Sequence, residues 1–184
     1  LQRDGNEDSA FISPVLIAVA DGMGVHAAGE VASKIAIDAV SGLSNILQDE
    51  GVDSDSKEDL LLNVIKEIDS ELETKTKTHP DYSGMGTTLT TLFLNGSDVE
   101  LLHIGDSRCY FIKSNKVEQL SHDDTVMQEL LDQGRLSPDE VHNHPQRSLL
   151  TQVLMGSTEI HPIDRKSTRL NSSHTDISRM PSSA

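Results

Sequence analysis

The sequence of 184 residues predicts an α+β domain with antiparallel sheets and flanking helices. An apolar run over residues 14–20 stops at an Asp-Gly turn, which is typical of a buried strand. Two long segments then repeat apolar residues at three- and four-residue steps, and short strand-like runs separated by turn residues follow them. Because strands and helices come in separate groups, the pattern disfavours a parallel βαβ sheet.

The first half of the chain predicts a strand pair followed by two helices. Residues 14–20 form the predicted strand, and residues 9–13 can pair with it as a hairpin. The two helical patterns place apolar residues at positions 32, 35, 36, 39, 43, 46 and 47, and at positions 61, 64, 65, 68 and 72. Charged residues occupy the other faces, as expected for helices that rest on a sheet.

The second half returns to strands. The predicted strands are 87–94, 99–104, 107–113 and 116–120. Residues 95–98 separate the first two, and the dipeptide Asn95-Gly96 between apolar runs is typical of a tight hairpin. A helix over 125–133 is predicted to stop at Gly134, and Ser137 is placed to cap a further short helix.

Charge and composition limit the partners and the compartment. The formal net charge of −15 repels nucleic-acid phosphates, so no nucleic-acid partner is expected. No apolar run reaches the roughly 18 residues of a membrane span, so no membrane segment is expected in this part of the protein. Cys109 is the single cysteine, which fits a reducing cytoplasm. The protein is also expected to be a monomer. The chain opens with Leu1 in place of Met, so an N-terminal piece is expected to be missing.

The last segment differs in character from the rest. Residues 164–184 hold 4 Lys or Arg, 2 Asp or Glu and 6 Ser, with no aromatic residue. This composition predicts disorder. Residues 164–174 and 179–184 also resemble a translated sequencing-library adapter. The prediction is therefore a partial domain over 1–163 and a non-native disordered tail over 164–184.

Three short acidic clusters fall at predicted strand ends, within residues 3–9, 20–24 and 104–108. Each cluster alone is more typical of a turn. Strands that each deliver an Asp to one end can gather carboxylates, and such crowded like charges are stable only beside a cation. Carboxylates and backbone carbonyls, without a Cys pair or a His at zinc spacing, favour Mg²⁺ or Mn²⁺. Two such ions can activate a bridging water and hold a phosphoryl group.

Five motifs occur in order along the chain. They are Arg3 with Asn6-Glu7-Asp8, Asp21-Gly22-Met23-Gly24 with residues 26–30, Met85-Gly86-Thr87-Thr88, Gly105-Asp106-Ser107-Arg108 with Tyr110, and the segment 130–154. Together they resemble the motifs of type-2C metal-dependent serine/threonine protein phosphatases, especially the bacterial branch. The resemblance covers residues 1 to about 160. It implies a two-sheet antiparallel β-sandwich flanked by helix pairs, in α-β-β-α layers, incomplete at both ends.

The resemblance also implies the ligands of the metal site. Asp21 would bridge two Mn²⁺ or Mg²⁺ ions, Gly22 would offer its carbonyl to one of them, and Glu7 would hold a metal-bound water. Asp106 resembles the position that holds a third, weaker metal in bacterial members.

The remaining roles concern the substrate. The resemblance implies that Arg3 grips the substrate phosphate, a task suited to a bidentate guanidinium, and that Asp8 supports the acidic cluster. The implied reaction is hydrolysis of phosphoserine and phosphothreonine in proteins by a metal-activated water. Phosphorylated proteins, opposite a serine/threonine kinase, are the expected partners.

Several departures from the family pattern leave alternatives open. Val25 stands where a Gly is usual, Met23 where some members carry a His, and Gln152 where an Arg is common. The late Asp-Gly and Asp-Asn motifs that supply two further metal carboxylates are absent, so this chain by itself is expected to be inactive. One alternative is a catalytically silent module that binds phosphoproteins. Another is a phosphatase for an anti-sigma-factor antagonist.

Overall fold

The computed structural model describes residues 5–25, 27–96, 98–113, 116–141, 144–156 and 166–169. Its largest feature is an antiparallel sheet in the order β1-β2-β4-β5-β8, with β3 also paired to β2. The strands of this sheet are β1 (Asp8–Ile12), β2 (Leu16–Met23), β3 (Gly86–Thr87), β4 (Leu89–Asn95), β5 (Asp98–Ile104) and β8 (Lys166–Arg169). β1 and β2 form the predicted N-terminal hairpin, with Asp8 opposite Asp21 and Ile12 opposite Ile17.

Three helices follow β2. They are α1 (Ala28–Gly42), α2 (Ser44–Gln48) and α3 (Ser54–Thr78). The first predicted helix is thus divided at Leu43, which takes helical dihedrals but lies between α1 and α2. The second starts earlier than the apolar pattern indicates, because Asp53 accepts a hydrogen bond from the Ser56 N–H and caps the helix.

The core lies between these helices and one face of the large sheet. Alternate residues of β2 and β4 point into it, and the facing residues of α1 are small, which allows a close approach of helix and sheet. The core residues from these elements are Leu16, Ala18, Ala20, Leu89, Phe93, Ala28, Ala32, Ala36 and Val40. The long helix α3 adds Leu61, Val64, Ile65, Ile68 and Leu72.

The hairpin predicted at Asn95-Gly96 is confirmed, since β4 and β5 pair along their whole length with Asn95 opposite Asp98. The next pair, β6 (Tyr110–Lys113) and β7 (Lys116–Gln119), forms a separate two-stranded sheet. The strand predicted from residue 107 begins only at Tyr110, because the residues before it bond to the loop that follows β7, as in the Cys109 N–H to Ser121 Oγ contact of 2.9 Å. The two short helices are α4 (Val126–Asp132), capped by Thr125, and α5 (Pro138–Val141).

The α+β class with antiparallel sheets is confirmed. Among the described residues, helices α1 to α3 cover one face of the large sheet, and the only second sheet is the β6–β7 hairpin. Side chains on the opposite face of the hairpin β1–β2 reach solvent, with Ile12 76% and Val19 42% exposed. No helix in the described part of the chain is both long and apolar enough to cross a membrane.

The segment 164–184 differs in one place from the predicted disorder. Residues 166–169 form β8, which pairs antiparallel with β5 so that Lys166 lies opposite Leu101 and Arg169 opposite Asp98. The outer edge of β5 offers backbone N–H and C=O groups to any extended segment, which explains a pairing that the composition does not predict. The rest of that segment lies outside the described residues, and its non-native origin stays a prediction.

Residues 150–156 return to the core and fasten the second half of the chain to the first. Leu154 exchanges two backbone hydrogen bonds with Thr87, of 2.8 and 3.0 Å, and its side chain is fully buried. The Asp69 carboxylate on α3 accepts the N–H groups of Met155 and Gly156 at 3.3 and 2.7 Å. Leu154 is therefore the apolar anchor of this segment.

We expect Leu154→Ala to lower the free energy of unfolding by about 2–5 kcal/mol, because it removes a fully buried side chain and leaves a cavity. Leu149→Ala, directly before this segment, is the matched control. Leu149 is 48% exposed, so its truncation should change the free energy of unfolding by only about 0.5 kcal/mol. Urea denaturation of the two variants tests this, and equal losses would contradict the assignment of Leu154 to the core.

Candidate functional site

An open cleft of about 430 Å³ lies at the end of the β1–β2 hairpin. Its lining includes Asn6, Asp8 and Asp21, with Ser107 on the opposite side. Asp8 and Asp21 are register partners on neighbouring strands, so their side chains project from the same face of the sheet. Two carboxylates placed directly opposite each other repel, and a cation in the cleft would offset that repulsion.

The backbone of Asp21 is held by two consecutive threonines. Its N–H donates to Thr88 Oγ1 at 3.0 Å. Its carbonyl oxygen accepts the Thr88 N–H at 2.9 Å and the Thr87 hydroxyl at 3.1 Å. Both threonines are almost fully buried, so the strand end that carries Asp21 is fixed by groups from the protein interior.

Glu7 and Gly22 meet the first turn of α1. The Gly22 N–H donates to the Glu7 carbonyl at 3.1 Å. A β-carbon at Gly22 would lie 2.0 Å from the Gly29 carbonyl oxygen, and one at Gly29 would lie 2.9 Å from Glu7 Oε2. Glycine is therefore required at both positions, and the Glu7 carboxylate is placed beside the N-terminal turn of α1, where the helix dipole favours negative charge.

Asp106 is exposed on the tight turn that follows β5. Gly105 opens the turn with φ +107°, a backbone conformation that side chains disfavour. Asp124 holds this glycine from both sides, since its carboxylate accepts the Gly105 N–H at 2.8 Å and its own N–H donates to the Gly105 carbonyl at 2.8 Å. The buried His103 also contacts that carbonyl oxygen through Nε2 at 2.9 Å. Because a carbonyl only accepts, Nε2 carries the proton.

A second acidic residue holds the other end of the same turn. The buried carboxylate of Asp123 accepts the Arg108 Nε–H, which is shared between its two oxygens at 2.8 and 3.0 Å, together with hydrogen bonds from Arg108 Nη2 at 2.5 Å and Gln119 Nε2 at 2.8 Å. The hydrogen bond to Asp123 raises the pKa of the Arg108 guanidinium. Burial raises the pKa of the Asp124 carboxyl, and the Gly105 N–H partly opposes that shift.

Asp123 and Asp124 were not among the predicted site residues. In the sequence they precede the predicted helix at residue 125, and nothing local indicates that they bind a turn some twenty residues earlier. Thr125, which follows them, marks only the start of α4, since its side chain accepts the Gln128 N–H. The contact to Gly105 is tertiary and has no sequence pattern of its own.

The predicted acidic residues do not all converge. Asp8 and Asp21 share the cleft, whereas the Glu7 carboxylate reaches Gly29 at the start of α1. Neighbouring residues of an extended chain point to opposite faces, which explains why Glu7 and Asp8 separate. In the part of the chain that the structure describes, no group of three or more His, Cys, Asp or Glu side chains could hold a metal ion. Arg3 lies outside the described residues, and the metal and substrate roles of all these residues stay predictions.

The donors around the cleft nevertheless suit a hard cation in kind. The described lining offers carboxylate, hydroxyl and amide oxygens and contains neither Cys nor His. Such oxygen donors match Mg²⁺ or Mn²⁺, which retain several waters and need few protein ligands. The donor atoms are therefore of the type that Mg²⁺ or Mn²⁺ binds, but the described residues supply too few of them to complete a site.

Comparison with known proteins agrees with these features. The family model described as Protein phosphatase 2C matches residues 7–152. The chain is 43% identical over 165 residues to the serine/threonine protein phosphatase PstP of Mycobacterium tuberculosis strain H37Rv, covering 88% of this chain and 30% of PstP. It is 34% identical over 162 residues to the serine/threonine phosphatase stp of Listeria monocytogenes serotype 4b, covering 83% of this chain and 62% of that protein.

A solved structure gives the same result. The crystal structure of the catalytic domain of the serine/threonine protein phosphatase PstP in complex with two manganese ions superimposes with a TM-score of 0.77 and 37% identity. The match covers 92% of this chain and 69% of that one. The chain thus spans less than two thirds of the length of the two curated relatives. The family match over most of its length shows that this chain belongs to the protein phosphatase 2C family.

Proposed function

We propose that the natural protein containing this chain is a metal-dependent phosphatase that hydrolyses phosphoserine and phosphothreonine in other proteins. The observation that carries the proposal is the pair of carboxylates, Asp8 and Asp21, which lie side by side on neighbouring strands and line one cleft at the strand ends. Family membership supports the reaction class. The two manganese ions bound by the PstP catalytic domain support the choice of metal.

Charge explains how bound cations would help this cleft to receive its substrate. A phosphate monoester carries about −1.5 to −2 charge at pH 7. A cleft lined by Asp8 and Asp21 in a chain of net charge −15 repels such a group. Divalent cations bound there would reverse the sign of the local field and bring the phosphate to the strand ends.

The proposed residue roles are those that the resemblance to the family implies. Asp21, the Gly22 carbonyl and Glu7 are the groups of this chain that would hold two Mn²⁺ or Mg²⁺ ions, and Asp106 would contribute to a third. When bound, such ions supply an activated water and neutralise charge on the phosphoryl group. The chain itself fixes the strand end of Asp21 through Thr87 and Thr88.

Two further roles concern the substrate. Arg3 would bind the phosphate through two parallel N–H donors. Asp8 would support the cluster of acidic residues at the strand ends. The remaining metal carboxylates would come from the natural sequence beyond residue 163. Phosphorylated proteins modified by a serine/threonine kinase are the proposed substrates. We also keep the cytoplasm as the proposed compartment and a monomer as the proposed state.

The silent phosphoprotein-binding module is the second candidate. One observation favours it for the chain by itself, namely that the described residues complete no metal-binding cluster. The two candidates differ in metal affinity, because a silent module has no need to bind Mn²⁺. No feature of the described residues favours the anti-sigma-antagonist phosphatase over a general one.

The extended protein, with the natural sequence beyond residue 163 restored, should hydrolyse an aryl phosphate in the presence of Mn²⁺. Asp21→Asn should abolish this activity, because it removes the carboxylate charge from a proposed metal-binding residue. Asp38→Asn is the control, since Asp38 is exposed on α1 and does not line the cleft. Steady-state rates with and without excess chelator test the proposal, and full activity in chelator would refute it.

The chain of 184 residues should bind Mn²⁺ far more weakly than the extended protein and should show no phosphatase activity above background. Loss of outer-shell partners alone weakens metal sites by about 10- to 100-fold, and the loss of ligands should exceed that. Calorimetric titration of both proteins with Mn²⁺ measures the difference. Equal affinities would show that the described residues are sufficient, and weak binding by both would support the silent module.

Residues 164–184 are proposed to be foreign to the natural protein. Sequencing the source locus beyond Ile163 should therefore reveal different codons, continuing the phosphatase domain. If the locus instead encodes these residues, the pairing of β8 with β5 is a native feature and the domain boundary at residue 163 is wrong.

A further inference from the structure

One position in the large sheet has a side chain in place of a backbone hydrogen bond. β2 pairs with β4 at Val19 and Thr90 and with β3 at Gly22 and Thr87, in a single register. This register places Thr88 opposite Asp21, although Thr88 belongs to neither β3 nor β4. The Asp21 N–H donates to the Thr88 hydroxyl at 3.0 Å, where a regular ladder would use a backbone carbonyl.

The same hydroxyl also reaches the turn that carries Asp106. Thr88 Oγ1 lies 2.9 Å from Ser107 Oγ. A hydroxyl has one proton and two lone pairs, so after it accepts the Asp21 N–H it can still exchange a hydrogen bond with Ser107 in either direction. One buried oxygen therefore bonds to the Asp21 strand end and to the residue next to Asp106.

The methyl group of Thr88 makes a second contact with that turn. A β-carbon added at Gly105 would lie 2.5 Å from Thr88 Cγ2, so the methyl group packs directly on the glycine backbone. Thr88 is only 1% exposed, and its side chain has little freedom to move away from either neighbour. Serine would keep the hydroxyl and lose this packing, whereas valine would keep the shape and lose the hydroxyl.

We propose that Thr88 is a positioning residue that couples the Asp21 strand end to the Gly105–Ser107 turn. Its hydroxyl sets the distance between the two acidic positions, Asp21 and Asp106, which come from segments far apart in sequence. The role in catalysis rests on the proposed phosphatase function, while the coupling itself is a property of the chain and can be measured without a metal.

The test uses three variants of the chain. Thr88→Val removes the hydroxyl at constant shape, and Thr88→Ser retains it. Thr91→Val is the matched control, because Thr91 is the same residue type on the adjacent strand, is fully buried, and has a hydroxyl without a hydrogen-bond partner among the described residues. Its replacement should leave the site unchanged.

Hydrogen exchange and amide chemical shifts by NMR provide the readout. Thr88→Val should speed exchange of the Asp21 amide by about 5- to 10-fold, the equivalent of one lost hydrogen bond, and should shift the amide resonances of residues 105–107. Thr88→Ser should retain most of the protection. Thr91→Val should leave both observables unchanged.

Two results with the threonine variants would overturn the proposal. One is an Asp21 amide and a 105–107 turn that are unaffected by Thr88→Val. The other is an equal response to Thr88→Val and Thr91→Val, which would indicate a general loss of stability. If Thr88→Val does not fold, Ser107→Ala removes the Thr88–Ser107 hydrogen bond from the other side. It should shift the Asp21 amide resonance, and an unchanged resonance would also refute the coupling.

Activity of the extended protein gives a separate answer. Thr88→Val should lower kcat about tenfold or more with little change in KM, since misplaced catalytic groups affect the reaction more than substrate binding. The exchange and chemical-shift data are measured on the chain itself. They decide the coupling even if the extended protein proves not to be a phosphatase.

Discussion

The close approach of α1 to β2 is the contact on which the rest of the structure depends. Gly22 and Gly29 meet with no space for a β-carbon on either residue, so the first turn of the helix rests directly on the strand end. This contact brings α1 close enough to the sheet for its small residues to pack on β2. It also places Glu7 beside the helix N-terminus. Glu7 directly precedes Asp8 in the sequence, but Asp8 and Asp21 lie on the other face of the sheet. The fold and the candidate site are thus determined by the same backbone contact.

Much of the fold could be predicted because its signals are local. Asn95-Gly96 between two apolar runs predicts the β4–β5 hairpin, and the structure contains it. The interactions that position the site are of another kind. Thr88 with Ser107 and Gly105 with Asp124 are contacts between residues nineteen positions apart. No periodicity or turn signal indicates them, since each residue taken alone is typical of a strand, a turn or a helix cap.

The same distinction explains the outcome for the acidic residues. A sequence shows that an Asp or Glu stands at a strand end, but the face to which it points depends on the register of that strand. Asp8 and Asp21 share a face because they are register partners, whereas Glu7 precedes Asp8 by one residue and turns toward α1. Glu7, Asp8 and Asp21 could contact one ligand only if that ligand reached both faces of the sheet at the strand ends.

The interior next to the site contains more polar groups than a sheet core needs. Thr87, Thr88, Thr90 and His103 are all buried, although aliphatic residues of similar size would pack there without hydrogen-bonding requirements. Each of them bonds to the Asp21 strand end or to the turn at 105–107, as in the Thr90 hydroxyl to Ser107 carbonyl contact of 3.1 Å. A buried polar group that loses its partner costs about 1–3 kcal/mol, so these side chains resist any displacement of the two segments. These side chains lie beside the segments that carry Asp21 and Asp106, and not in the centre of the core. This position indicates that they hold the two segments in place, where aliphatic side chains would only fill the space.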